Sequence, residues 1–266
     1  FQQVSIADGI SIVLKDMKKK EGGFIYNYHE NNECLTVQMK NPGTELMPIN
    51  PANGTIVQKV NDFVVSHNLK FISDRILSQK LFGIESSFVQ DNPGIARKYD
   101  PKETIDFSSD IKLFANDKAG KAGRTQWFVI PRSAIKVNQK YIAEWQVVVS
   151  SANAGGQKRD NQIEIMDNHT AFGRSRVALG SFKTQLEAQN FFNYMNTYLI
   201  KFMFLMTDEA LTSLGKKVPD FIDYTNNNKL LNFNENLDNQ LSKIFGLTKS
   251  EMLYIIHMVD SIRKKR

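Results

Sequence analysis

The chain has 266 residues, 41% hydrophobic and 11% aromatic, and a formal net charge of +6. That length supports one large core or two smaller ones, and 18 Phe against 2 Trp speak for packed apolar layers rather than a disordered chain. No run of about 18 uncharged apolar residues occurs, as a membrane-spanning helix needs, and no basic-then-apolar leader opens the sequence. The single cysteine, Cys34, can form neither an internal disulfide nor a structural zinc cluster, so a cytoplasmic protein without membrane contact is expected.

In chain order, Val4 to Leu14 is a near-continuous apolar run rich in β-branched residues. Gly22-Gly23 then separates it from Phe24 to Tyr28, which predicts a β-hairpin between the two runs. A strand apolar on both faces normally lies inside a larger sheet, so the rest of that sheet is expected upstream. Asn41-Pro42-Gly43, Pro48 and Pro51 mark a linker. Ile56, Val60, Phe63 and Val64 follow helical spacing up to His67-Asn68, and a second helical or mixed segment covers Ile72 to Phe82.

From Ile111 the pattern changes to short strands: Ile111 to Ala115, Gln126 to Ile130, Lys140 to Ser150, Gln162 to Met166 and Arg176 to Phe182. Loops rich in Gly, Lys and Asn separate them, notably 116–124 and 151–161. This region also carries the charge. Between Ile111 and Lys183 there are 12 Lys and Arg against 5 Asp and Glu, while the rest of the chain has 22 against 23. A basic segment between neutral ones is what a polyanion-binding surface requires, and solvated lysines on strand faces are the competing explanation. The C-terminal part is helical. Thr184 and Glu187 form a capping box ahead of Phe191, Met195, Leu199, Phe202 and Met206. Leu237, Leu241 and Phe245 predict a short helix stopped by Gly246, and Thr248 with Glu251 opens another that carries Met252, Ile255, Ile256, Val259 and Ile262 on one face. Together these elements define an α+β fold.

The signatures of catalysis are missing. There is no Gly-x-Gly-x-x-Gly after a strand, no phosphate loop and no nucleophile elbow. His29, His67, His169 and His257 are isolated and lack metal-ligand spacing. Asp8, Asp16 and Lys18 give a short match to a metal-dependent nuclease signature, without a supporting acid cluster. Gly155-Gly156-Gln157-Lys158-Arg159 is either a phosphate cradle or an ordinary hairpin loop. The pattern is that of a binder.

Ile6 to Leu14 resembles the late strand of the catalytic domain in adenine-specific DNA methyltransferases of restriction–modification systems, with Asp8-Gly9 in place of the usual glycine pair. Phe128 to Ile135 and Trp145 to Ala152 are similar to paired strands of their target-recognition region. Leu179 to Phe191, continuing through Tyr194 to Phe202, is similar to the strand and helix that end it, and Lys217 to Phe221 and Phe245 to Met252 follow in the expected order. The resemblance implies the last strands of a methyltransferase sheet plus linker over 1–50, a β-rich recognition domain over 51–222, and a helical C-terminal segment over 223–266.

The same resemblance implies that S-adenosylmethionine and the catalytic Asn-Pro-Pro-Tyr loop belong to an upstream catalytic domain, because no Asn-Pro-Pro occurs here, and no catalytic residue is assigned. The implied partner is double-stranded DNA, read so that an adenine can be flipped out and methylated at N6. Among the basic residues, Lys118, Lys121, Arg124, Lys158 and Arg159 are candidate phosphate contacts, and Arg124, Arg132, Arg174 and Arg176 are candidates for bidentate contact with guanine. Asn153, Gln157, Asn161 and Gln162 are possible adenine readers. Competing readings are a specificity subunit of a multisubunit restriction enzyme, a stand-alone DNA-binding or nuclease module, and a protein-interaction module with incidental charge.

Overall fold

The computed structural model describes residues 12–14, 18, 22–30, 33–39, 50–118, 125–207 and 210–263. The chain divides into two units, Phe1–Thr55 and Ile56–Arg266.

In the first unit, strand β1 (Phe24–Glu30) pairs antiparallel with β2 (Glu33–Met39), with Phe24 opposite Met39 and His29 opposite Cys34. Phe24 to Tyr28 is a strand as expected, and its partner among the described residues follows it in the chain. Ile12, Val13 and Leu14 are exposed and outside any strand, and the rest of the expected first strand lies outside the described residues.

Helix α1 (Pro51–Ser66) runs into the second unit, where Ile56, Val60 and Val64 bury its apolar stripe, and Asn68 turns the chain with a φ of 50°. Then come the short strand β3 (Lys70–Phe71), the four-residue helix α2 (Phe88–Asp91) and strand β4 (Arg97–Lys98). The helical or mixed segment expected over Ile72 to Phe82 is a single 3₁₀ turn, Ile72–Asp74, followed by turns. Its apolar residues instead meet two cores: Ile72 joins one and Leu81 and Phe82 the other.

Strands β5 (Asp110–Asn116), β6 (Thr125–Pro131), β7 (Trp145–Ser150), β8 (Glu164–Met166), β9 (Thr170–Phe172) and β10 (Arg176–Phe182) form two sheets, ordered β4-β6-β5-β9 and β10-β7-β8. The five expected strands are present, with β7 beginning at Trp145 because Gln139–Ala143 forms a 3₁₀ turn. The β10-β7-β8 sheet is a middle layer. Val147, Val149, Val177 and Leu179 enter the helical core, whereas Val148, Ala178 and Met166 enter a second core with Ile111, Leu113, Phe128 and Ile130 of the other sheet. Burial on both faces explains why Val147-Val148-Val149 is continuous rather than alternating.

The helical layer comprises α3 (Gln185–Met195), α4 (Tyr198–Leu205), a two-residue strand β11 (Pro219–Asp220) paired with β3, then α5 (Leu237–Ile244) and α6 (Lys249–Arg263). Both capping boxes form: Thr184 with Glu187, and Thr248 with Glu251. The single helix expected after Thr184 breaks at Asn196-Thr197. There Asn196 Nδ2 donates to Phe192 O and Thr197 Oγ1 to Tyr194 O, a competition for backbone partners that ends helices, and Asp238 caps the amide of Tyr198. Gly246, at φ 60°, stops α5 as expected. Leu237, Leu241, Phe245, Ile255 and Val259 share one core with Ile56, Leu179 and Phe191, so the C-terminal helices pack together with the residues before them. Among the described residues no helix is long and apolar enough to cross a membrane.

Candidate nucleic-acid interface

The stacked sheets bring three loops to one end. Gly173 N donates to Phe114 O at 2.9 Å, Ser151 N to Ser175 O at 3.0 Å, and Ser150 N to Asn161 O at 3.0 Å. The end of β5, the base of the loop from Ser151 to Gln162, and the β9–β10 turn therefore adjoin. Lys118, Lys158, Arg159 and Arg174 all arise from this end. Lys121 and Arg124 lie outside the described residues.

Lys158 and Arg159 are exposed, and the loop that bears them is pinned from inside. Asn153 accepts from Lys158 N at 3.1 Å and donates through Nδ2 to Arg159 O. Asn161 donates to Ala154 O at 3.1 Å, and Gln157 to Thr207 O at 2.9 Å. Gly156 takes a φ of 79°, which a side chain would strain. Beneath, Lys201 of α4 pairs with Asp160 at 3.0 Å, its side chain only 10% exposed. The cavity behind the glycine pair, about 20 Å³, has room for one water-sized molecule and not for a phosphate. This loop presents cations outward and is no cradle.

Arg174 is half-buried, its side chain 42% exposed, and pairs with Glu85 at 3.2 Å. Glu85 also meets Lys80 at 2.5 Å. The hydrogen bond from Lys80 holds the Glu85 carboxyl below its ordinary range against the opposing effect of burial, with Arg174 assisting, so Glu85 is ionised at neutral pH. Such a partly exposed pair is worth little and exchanges readily for a phosphate.

Four of the residues singled out in the sequence are not surface contacts at this end. Arg132 is at the opposite end of β6, its amide on Ser109 O and its Nη2 on Phe107 O at 3.2 Å. Arg176 is only 7% exposed, bonded to Glu164 at 3.2 Å and lying over the Phe114 ring at 4.8 Å, so it holds the two sheets together and is withdrawn from any surface reader set. Asn153 and Asn161 are 9% and 3% exposed with their amides committed to the loop, which corrects their assignment as base readers; Gln162 is exposed. The buried Lys201–Asp160 pair went unassigned, although a lone lysine inside the apolar run Tyr198 to Leu205 was a visible signal.

A groove adjoins the same end. Phe114 and Trp127, directly opposed on β5 and β6 with ring centroids 4.9 Å apart, form one wall. The outer edge of β8 and residues Gln189 and Phe192 of α3 complete it, an open depression of about 540 Å³. Lys112 lies over the Trp127 ring at 5.8 Å and is paired with Asp167. Among the described residues no group of three or more His, Cys, Asp or Glu could hold a metal ion. No family model matches the chain, and no curated protein matches it significantly.

Proposed function

We propose that this chain is the target-recognition region of an adenine-N6 DNA methyltransferase of a restriction–modification system, and that it grips duplex DNA with the loop end of its stacked sheets. The observation that carries the reading is the convergence of Lys118, Lys158, Arg159 and Arg174 on one end, from loops far apart in sequence. Backbone contacts of this kind fix register on the duplex. Arg174, with a planar fork and an exchangeable carboxylate partner, is the group suited to a guanine edge. Binding of S-adenosylmethionine and the methyl transfer belong to an upstream catalytic domain, the second partner of this region.

The test is duplex binding measured over a range of salt concentrations for the chain and for the double variant Lys158→Ala/Arg159→Ala. Each phosphate contact contributes roughly 0.9 to the slope of log affinity against log salt, so the double variant should be flatter by about 1.8. Between 50 and 200 mM salt, the unmodified chain should lose about 12-fold more affinity than the variant. Identical slopes would reject the loop end as the interface.

A further inference from the structure

We propose that helix α4 holds Lys158 and Arg159 in one arrangement through two anchors, Gln157 and the Lys201–Asp160 pair, which makes Lys201 a positioning residue for the phosphate contacts. The anchoring stands on the structure, and its consequence for binding rests on the DNA-recognition reading.

The two exposed cations lie between residues tied to the same helix. Before them, Gln157 Nε2 donates to Thr207 O at 2.9 Å and to Phe204 O at 3.4 Å, carbonyls in the region where a helix end leaves its acceptors without helical partners. After them, Asp160 Oδ2 accepts from Lys201 Nζ at 3.0 Å, while its Oδ1 accepts from Gln162 N at 2.8 Å. Lys201 and Phe204 are about one helical turn apart, so the loop is seated on a short rigid stretch of α4. Gly155 gives Gln157 the room to fold back, since a Cβ there would collide with the Gln157 amide.

The chemistry of Lys201 argues for position rather than stability. It is the one charged residue in the α4 sequence, and its side chain is 10% exposed against 21% for Asp160. Desolvation offsets most of the attraction in such a pair, so an apolar residue of similar size would hold the helix as well. What the lysine adds is a penalty for moving the loop: turning Asp160 outward breaks an ion pair in a buried setting. Asn153 and Asn161 shape the loop from within, and α4 sets where that shape stands. A loop ordered beforehand does not lose that freedom on binding. Lys201 itself is too buried to touch a phosphate, so it acts through Lys158 and Arg159.

The experiment compares the full chain with Lys201→Met and with Gly155→Ala, reading thermal melting, amide exchange, and duplex DNA affinity at several salt concentrations. Methionine keeps an unbranched, flexible side chain without the charge, so melting should be nearly unchanged or raised. Exchange over Gln157 to Gln162 should quicken, and affinity should fall by roughly 2- to 13-fold, the effect of ordering the loop on binding. The salt slope should equal that of the unmodified chain, because both exposed cations remain. Gly155→Ala displaces the other anchor and should give the same pattern, which keeps the test decisive if Lys201→Met folds poorly. Unchanged exchange in the two variants overturns the anchoring. Quicker exchange with unchanged affinity, or a flattened slope in Lys201→Met, overturns the positioning role and leaves the DNA reading standing. Failure of the unmodified chain to bind duplex overturns the DNA reading and the positioning role together.

Discussion

Replacing Asn153 by Ala separates the shape of the basic loop from its charge. The side chain is 9% exposed and makes two hydrogen bonds, accepting from Lys158 N and donating to Arg159 O, so it fixes the two residues proposed to touch phosphate. A net value of roughly 1 kcal/mol per bond, reduced where the freed backbone groups reach water, gives a loss of about 1–2 kcal/mol. For a domain of this size that lowers the melting temperature by about 2–8 °C. In DNA binding the variant must order the loop itself, at about 0.5–1.5 kcal/mol, which weakens affinity by roughly 2- to 13-fold. The cations remain, so the salt slope should equal that of the unmodified chain. Calorimetry and fluorescence anisotropy at several salt concentrations read both quantities. Unchanged melting and unchanged affinity would refute the anchoring role of Asn153, and a flattened slope would refute the separation of positioning from charge.

Asp220→Ala should cost toward the lower end of about 3–5 kcal/mol, since it strips the carboxylate from Arg75, which is 22% exposed and lies within 6 Å of the Phe182, Phe191 and Tyr224 rings; urea denaturation measures it. Thr184→Ala removes the cap of α3 and should lower the denaturation midpoint by the equivalent of about 0.5–2 kcal/mol with no change in the denaturant slope. Burial alone would raise the Asp167 carboxyl, but hydrogen bonds from Lys112 and Thr170 outweigh it and hold it below its ordinary 3.8. Being depressed in the folded state, it contributes stability above that ordinary value which is lost as pH falls through the lower folded one, so Asp167→Asn should flatten the stability profile only below about pH 4.

What the sequence showed was what local chemistry decides. Both capping boxes need only residues three apart, and β5, β6 and β10 carry strand patterns that the sheets simply bury. Strand β2 was passed over although Leu35, Val37 and Met39 alternate with Thr36 and Gln38, a pattern that was legible in the sequence. The segment from Ile72 to Phe82 looked helical because its apolar residues serve two different cores, a division that exists only once the sheets are stacked. Arg176 was indistinguishable in sequence from Arg174, two residues away; β10 is covered on both faces and buries one, and the turn before it leaves the other half-buried. Convergence of Lys118 and Arg174 with the loop from Ser151 follows from the parallel pairing of β5 with β9 and the stacking of the sheets, which no local pattern encodes.

Hydrogen exchange of the chain with and without duplex DNA asks most directly which end of the stacked sheets meets the nucleic acid. Protection should appear in Ser151 to Gln162 and Gly173 to Ser175 and be absent from Ser108 to Asp110 and Pro131 to Ala134, at the far end of β5 and β6. Protection of the far end, or none at either, would contradict the proposed interface.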